Sequence, residues 1–248
     1  LFKIFKLQDY CNEVIKELGF QKPTPIQEKV IPLVLKNRDI IGISQTGTGK
    51  SHAFLLPIMS RIDVNKDCVQ AVITAPTREL AAQLFNNAKT FTKYLPELRV
   101  SLIVGGSDRQ RAVNKLSIQP HVVIGTPGRI KDLSLDAQAL QITTAKTFVV
   151  DEADMTLEFG YLEDIDAVAG KMADDLQMMV FSATIPQNLR PFLKKYMQSP
   201  VTIEINSKLA TTANVEHILL ATKHQDRYDV LKKIMATIDP YICIIFAK

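Results

Sequence analysis

The stretch 39-DIIGISQTGTGKS-51 decides the fold. Ile40 through Ile43 make an apolar run of buried-strand length, and His52-Ala53-Phe54-Leu55-Leu56 begins a helical pattern. Between them, Gln45-Thr46-Gly47-Thr48-Gly49 is too rich in glycine and hydroxyl residues to continue either element, and Lys50 and Ser51 follow. A strand, a glycine-rich turn and a helix bring successive backbone N–H groups onto one anion. Lysine adds a mobile cation, and a serine hydroxyl can reach a magnesium ion beside phosphates. The strict pattern G-x-x-x-x-G-K-[ST] would begin with glycine at position 44, where this chain carries serine. An ordinary glycine-rich αβ connection is the competing explanation at this point.

Upstream, Leu7, Cys11, Val14, Ile15 and Leu18 recur at helical spacing and stop at Gly19. Thr24-Pro25-Ile26-Gln27 then reads as a helix start, with Thr24 as N-cap and Pro25 at the first helical position. Gln27 falls where a capping-box residue would satisfy the Thr24 backbone N–H. Its amide also offers a donor beside an acceptor, the pattern that matches the edge of adenine. Both readings stay open from these residues alone.

Downstream, five apolar runs each end in a polar cluster before a helical pattern. They are Val69–Thr74 before Pro76-Thr77-Arg78-Glu79, Val100–Val104 before Gly105-Gly106, Val122–Ile124 before Thr126-Pro127-Gly128-Arg129, Phe148–Val150 before Asp151-Glu152-Ala153-Asp154, and Met178–Phe181 before Ser182-Ala183-Thr184. Val201–Ile205 reads as a closing strand. Strands that alternate with helices imply right-handed crossovers and a largely parallel sheet covered on both faces, an α/β fold. In such sheets ligands bind at the carboxyl ends of the strands, so these clusters share one edge. Residues 206–214 read as a polar linker, after which 215–248 restart a strand–helix–strand order.

Composition fits this picture. The chain has 248 residues, 46% hydrophobic and 23% charged, enough for one sizeable α/β core and part of another. A net charge of +4 means that any nucleic-acid binding comes from a local face. Cys11, Cys68 and Cys243 lack metal-ligand spacing and point to a reducing compartment. No apolar run is long enough to cross a bilayer, so the cytoplasm is the expected location, with no membrane partner.

Asp151 and Glu152 follow an apolar strand, the place where a P-loop enzyme organises magnesium. Asp151 would hold the ion largely through water, and Glu152 would sit near the attacking water as base or orienting group. Acidic residues that merely favour a helix dipole are the alternative. Thr77 with Arg78, and Thr126 with Arg129, each set a hydroxyl and an arginine at a helix start, suited to a phosphodiester backbone. Plain N-capping is the bland explanation of both. His52, His121, His217 and His224 have no ligand spacing and read as structural or exposed.

Gly19-Phe20 with Pro23–Gln27, then Ser44–Ser51, Pro76–Leu80, Gly105-Gly106, Thr126–Arg129, Asp151–Asp154 and Ser182–Thr184 occur in a fixed order. In that order residues 1–205 resemble the DEAD-box ATP-dependent RNA helicases of superfamily 2. The pattern is similar to their bacterial, cold-shock-associated members.

The resemblance implies a RecA-like P-loop NTPase domain over 1–205 and the start of a second RecA-like domain over 215–248. It implies ATP and Mg2+ as cofactors. Gln27 and Phe20 would hold adenine with Phe2 supporting, while Gln45, Thr46, Gly47, Thr48, Gly49, Lys50 and Ser51 would hold phosphates. Ser51 and Asp151 would serve the metal, and Lys50, Asp151 and Glu152 the chemistry. Thr77, Arg78, Gly106, Thr126 and Arg129 would contact RNA, and Asp154, Ser182 and Thr184 would couple ATP state to strand separation.

The partner implied is single-stranded or duplex RNA gripped without reading sequence, with ribosome-assembly or RNA-decay proteins as companions. Residues 244–248 resemble the opening of motif IV, and the second domain's arginine finger lies outside the chain. Residues 1–248 are therefore expected to bind adenine nucleotide weakly, hydrolyse ATP poorly and leave duplexes intact. A DNA-directed ATPase and a non-catalytic RNA clamp are the rival functions.

Overall fold

A computed structural model describes residues 1–106, 108–205, 218–222 and 226–245. The chain divides into two compact units, Leu1–Ser207 and Lys208–Lys248. The first holds a seven-stranded sheet built from β1 (Ile40–Ile43), β2 (Ala71–Thr74), β3 (Val100–Ile103), β4 (Val122–Gly125), β5 (Thr147–Val150), β6 (Gln177–Ser182) and β7 (Val201–Glu204). Their order is β3-β4-β2-β5-β6-β1-β7, and every neighbouring pair is parallel. The parallel α/β architecture expected from the alternating runs is present.

Strand side chains alternate between two cores. Ile73, Val149, Met179 and Phe181 join one buried cluster, while Val72, Phe148, Val150, Met178 and Val180 join the other. A period of two divides each run between the faces, so central strands read as continuously apolar. β2, β4, β5 and β6 are buried at every position, whereas the edge strands β3 and β7 are partly open.

The helices are α1 (Asp9–Glu17), α2 (Pro25–Leu35), α3 (Lys50–Met59), α4 (Arg78–Lys89), α5 (Arg109–Lys115), α6 (Pro127–Lys131), α7 (Ala153–Glu158), α8 (Leu162–Ala169), α9 (Arg190–Tyr196) and, in the second unit, α10 (Arg227–Ile238). Buried residues of α1 to α4 pack into the first cluster, and those of α6, α8 and α9 into the second. No helix among the described residues is long and apolar enough to cross a membrane.

At the amino-terminal edge of the sheet, the buried Asp39 carboxylate ties the start of β1 to β6 and to the segment before β7. Its Oδ1 accepts from the Met178 N–H at 2.8 Å, and its Oδ2 from the Gln198 N–H at 2.6 Å. Arg61 donates to Val34 O, Asn37 Oδ1, Thr147 Oγ1 and Gln177 Oε1. This network floors a cavity of about 800 Å³ on the edge opposite the sequence clusters.

Two expectations need correction. The first helix begins at Asp9, and a 3-10 turn over Phe2–Phe5 precedes it. In the second unit the helix at 227–238 is present, but neither 218–221 nor 242–245 is a strand. A helix satisfies its own backbone, whereas an extended segment needs a neighbouring strand. Ile242, Ile244 and Ile245 are exposed instead of paired. The expected linker at 206–214, together with 215–217 and 246–248, lies outside the described residues.

Candidate active site

Because all strands run one way, their carboxyl ends bring the sequence clusters to one edge. After β1 the Ser44 N–H still bonds Ser182 O at 3.1 Å, and then the chain turns. Gly47 and Gly49 take φ of +80° and +93°, the left-handed region that glycine enters at little cost. Gly49 is constrained twice, since an added Cβ would lie 2.8 Å from Gln27 Nε2. Ser44 Oγ and Thr48 Oγ1 are 3.0 Å apart, and Thr48 donates to Gln45 O at 2.9 Å. The serine in place of the expected glycine thus closes the loop with a hydrogen bond.

Lys50 opens α3 and turns inward. Its Nζ donates to Ser44 O at 3.1 Å and lies 2.9 Å from Glu152 Oε1, with 6% and 11% of the two side chains exposed. Asp151 extends β5, its N–H donating to Thr74 O at 2.9 Å, and its Oδ1 accepts from the Glu152 N–H at 3.1 Å. Burial, and then the negative charge of Glu152, push the Asp151 carboxyl up to about 7. Glu152 itself sits at φ +47°, a left-handed conformation costly for a residue with a Cβ.

Asp154, Ser182 and Thr184, the residues expected to couple, meet. The Asp154 N–H donates to Ser182 Oγ at 3.0 Å, while Asp154 Oδ2 accepts from the Thr184 N–H and hydroxyl at 3.1 and 3.2 Å. Burial acts to raise the Asp154 carboxyl, but hydrogen bonds involving Ser182, Met155 and Thr184 hold it below the usual range. No cluster of three or more His, Cys, Asp or Glu suited to a metal occurs among the described residues.

Gln27 fulfils its bland role and more. Its Oε1 accepts from the Thr24 N–H at 3.0 Å, and its Nε2 donates to Gly49 O at 3.2 Å, tying α2 to the glycine-rich loop after β1. Phe20 stacks on buried Phe2 with centroids 6.4 Å apart, and His52 meets Phe20 edge-on at 4.9 Å. Burial holds the His52 imidazole below its ordinary value, so it is neutral at pH 7. Sequence reading passed over its place beside Phe20.

Across the edge, Thr77, Arg78, Gly105, Thr126 and Arg129 line one groove of about 700 Å³. Thr77 caps α4, accepting from the Leu80 N–H at 3.2 Å, whereas the Thr126 hydroxyl makes no cap bond. The Arg78 guanidinium lies against the glycine pair, for a Cβ on Gly106 would come 2.5 Å from its Nη1. Asp132 bridges Arg129 at 2.8 Å and Arg109 at 3.0 Å, and Arg109 foremost holds its carboxyl low. Asp132 was missed, although a carboxylate three residues after Arg129 on a helix is a recognisable pairing signal. Phe159 and Tyr161, also in the groove, carried no such signal.

A DEAD/DEAH box helicase family model matches residues 24–192. The DEAD-box ATP-dependent RNA helicase CshB of Listeria monocytogenes is 52% identical over 246 residues, 99% of this chain and 56% of that protein. CshB of Bacillus subtilis is 48% identical over 248 residues, again 99% and 56%. A DEAD box protein from the hyperthermophile Methanococcus jannaschii superposes with TM-score 0.74 at 31% identity, over 92% of this chain and 61% of that one. S. cerevisiae Dbp5 bound to RNA and ADP BeF3 gives 0.73 at 32%, over 83% and 52%. The chain spans about half the length of the curated relatives it matches.

Proposed function

This chain belongs to the DEAD/DEAH box helicase family, and from that premise we propose that it is the ATP-binding half of an ATP-dependent RNA helicase of the CshB type. The observation that carries the reading is the buried junction of Lys50, Ser44 O and Glu152 beside Asp151. Two buried carboxyls against one lysine leave a negative balance that suits a divalent cation. On this reading Ser51 and Asp151 would hold Mg2+ largely through water, and the chemistry it would supply there is neutralisation of phosphate charge. Lys50 exchanges its carbonyl and carboxylate contacts for phosphate oxygens, which frees Glu152 to orient water and accept its proton.

Gln27, fixed to Gly49, reports adenine occupancy to the phosphate loop, and Phe20 with Phe2 behind it stacks the base. Gln45 through Gly49 supply the loop's amides. Thr77, Arg78, Gly106, Thr126 and Arg129 grip the RNA backbone, and the Asp154–Ser182–Thr184 bonds relay between the two sites. Residues 1–205 form the ATP-binding domain, 206–214 the linker, and 215–248 the opening of a second RecA-like domain. A grip that ignores sequence leaves the choice of RNA to companions, here proteins of ribosome assembly or RNA decay in the cytoplasm.

The test is ATP hydrolysis by the complete protein with single-stranded RNA or DNA. RNA is expected to stimulate and DNA not, and Glu152→Gln to lower the rate by roughly two to four orders of magnitude. Residues 1–248 alone are expected to turn over slowly and unwind nothing. Equal stimulation by DNA, or an unaffected Glu152→Gln enzyme, would contradict the reading.

A further inference from the structure

The groove lined by Arg78 and Arg129 has an aromatic rim that backbone binding does not explain. Phe159 ends α7 and Tyr161 precedes α8; both rings line the groove, and Phe159 is 50% exposed. The rings stand edge to face, 6.4 Å apart at 71°. Their placement is rigid. The Gly160 N–H bonds Leu157 O at 2.9 Å and the Tyr161 N–H bonds Thr156 O at 3.0 Å, while Gly160 takes φ +77°. This is the paired bonding of a Schellman turn, which fixes the two side chains on either side of the glycine.

The half-exposed Phe159 ring leaves apolar surface in the groove that a flat apolar ligand face can cover. The same groove offers a ligand guanidinium and hydroxyl groups, the chemistry of a phosphodiester, beside the carboxylates of Glu79 and of Asp132, the latter bonded to Arg129. A polymer with a phosphate backbone and flat apolar faces at one-nucleotide spacing satisfies both at once. Bases stack on aromatic side chains whatever their identity, so such a rim adds affinity without sequence preference.

We propose that Phe159, braced edge-on by Tyr161, is a stacking platform for an unpaired RNA base, set beside the phosphate grip of Arg78 and Arg129. This rests on the reading of the groove as the RNA face. A base whose face lies on Phe159 has left the continuous stack of a duplex interior. The platform therefore favours single-stranded over duplex RNA, a bias that a backbone grip alone lacks.

The chain contains no tryptophan, so Phe159→Trp places a single indole at the proposed contact. The variant is titrated with a single-stranded RNA decamer and with a ribose-phosphate decamer lacking bases. The platform predicts indole quenching by the first and none by the second. Phe159→Leu, which keeps apolar bulk and loses the ring, is expected to bind the base-bearing RNA about five- to tenfold more weakly and the abasic one unchanged. Arg129→Ala is expected to weaken both. Loss on both decamers in Phe159→Leu, no loss on either, or no selective quenching would overturn the platform while leaving the grip intact. Failure of the parent chain to bind either decamer would instead overturn the RNA-face reading, and the platform with it.

Discussion

Lys50 and Glu152 lie 2.9 Å apart, and both side chains are almost wholly shielded from bulk water. A buried pair is more costly to break than it is worth whole, because the survivor keeps its desolvation penalty without its partner. Lys50→Ala alone should therefore destabilise the chain by about 3–5 kcal/mol, and adding Glu152→Gln should recover most of it. Urea unfolding of the two single variants and the double variant checks this. Asp151 gives a pH-dependent counterpart. Its folded value lies above the ordinary carboxylate range, so the folded chain binds the proton more tightly and ionisation opposes folding. That burden is absent below the ordinary range, grows as pH rises, and is complete above about 7. Asp151→Asn should then add about 1–3 kcal/mol more stability at pH 8 than at pH 4.5. An equal effect at both values would show that burial does not strain this carboxyl.

Elements show what could be read from the chain and what could not. The run Phe148–Val150 was legible as a strand because both faces are buried, and Ile40–Ile43, buried on one face and partly buried on the other, because no polar position interrupts it. Their ends were less so: Val69 is fully buried yet lies two residues before β2. The runs at 218–221 and 242–245 have strand composition, but pairing is a property of neighbours that composition does not carry. In the site, residues that follow strand ends were legible because parallel topology sends them all to one edge. His52, Asp132 and the Phe159–Tyr161 pair were not, since their roles arise from helices meeting across the fold. The Asp39 fastening of β1, β6 and the segment before β7 is another such tertiary feature, and it holds the edge opposite the site. Asp39→Ala leaves two amide N–H groups without their acceptor and should cost about 2–4 kcal/mol. Thermal unfolding measures that loss, and a change below about 1 kcal/mol would mean that water replaces the carboxylate.

On the proposed reading, the first unit links an adenine end, a phosphate loop and a nucleic-acid groove along one sheet edge. Gln27 joins the first two through Gly49, and the bonds among Asp154, Ser182 and Thr184 join strand ends between the second and third. These short hydrogen bonds give a ligand at one end a route by which to bias the other. The central claim is that Gln27 and the Lys50 loop form one adenine-nucleotide site. Calorimetric titration of the 248-residue chain with Mg–ATP and Mg–GTP, in the parent and in Gln27→Ala, tests it most directly. The account predicts saturable ATP binding, GTP binding weaker by about tenfold or more, and collapse of that ratio in Gln27→Ala. Equal affinity for the two nucleotides in the parent chain, or a ratio untouched by Gln27→Ala, would contradict it.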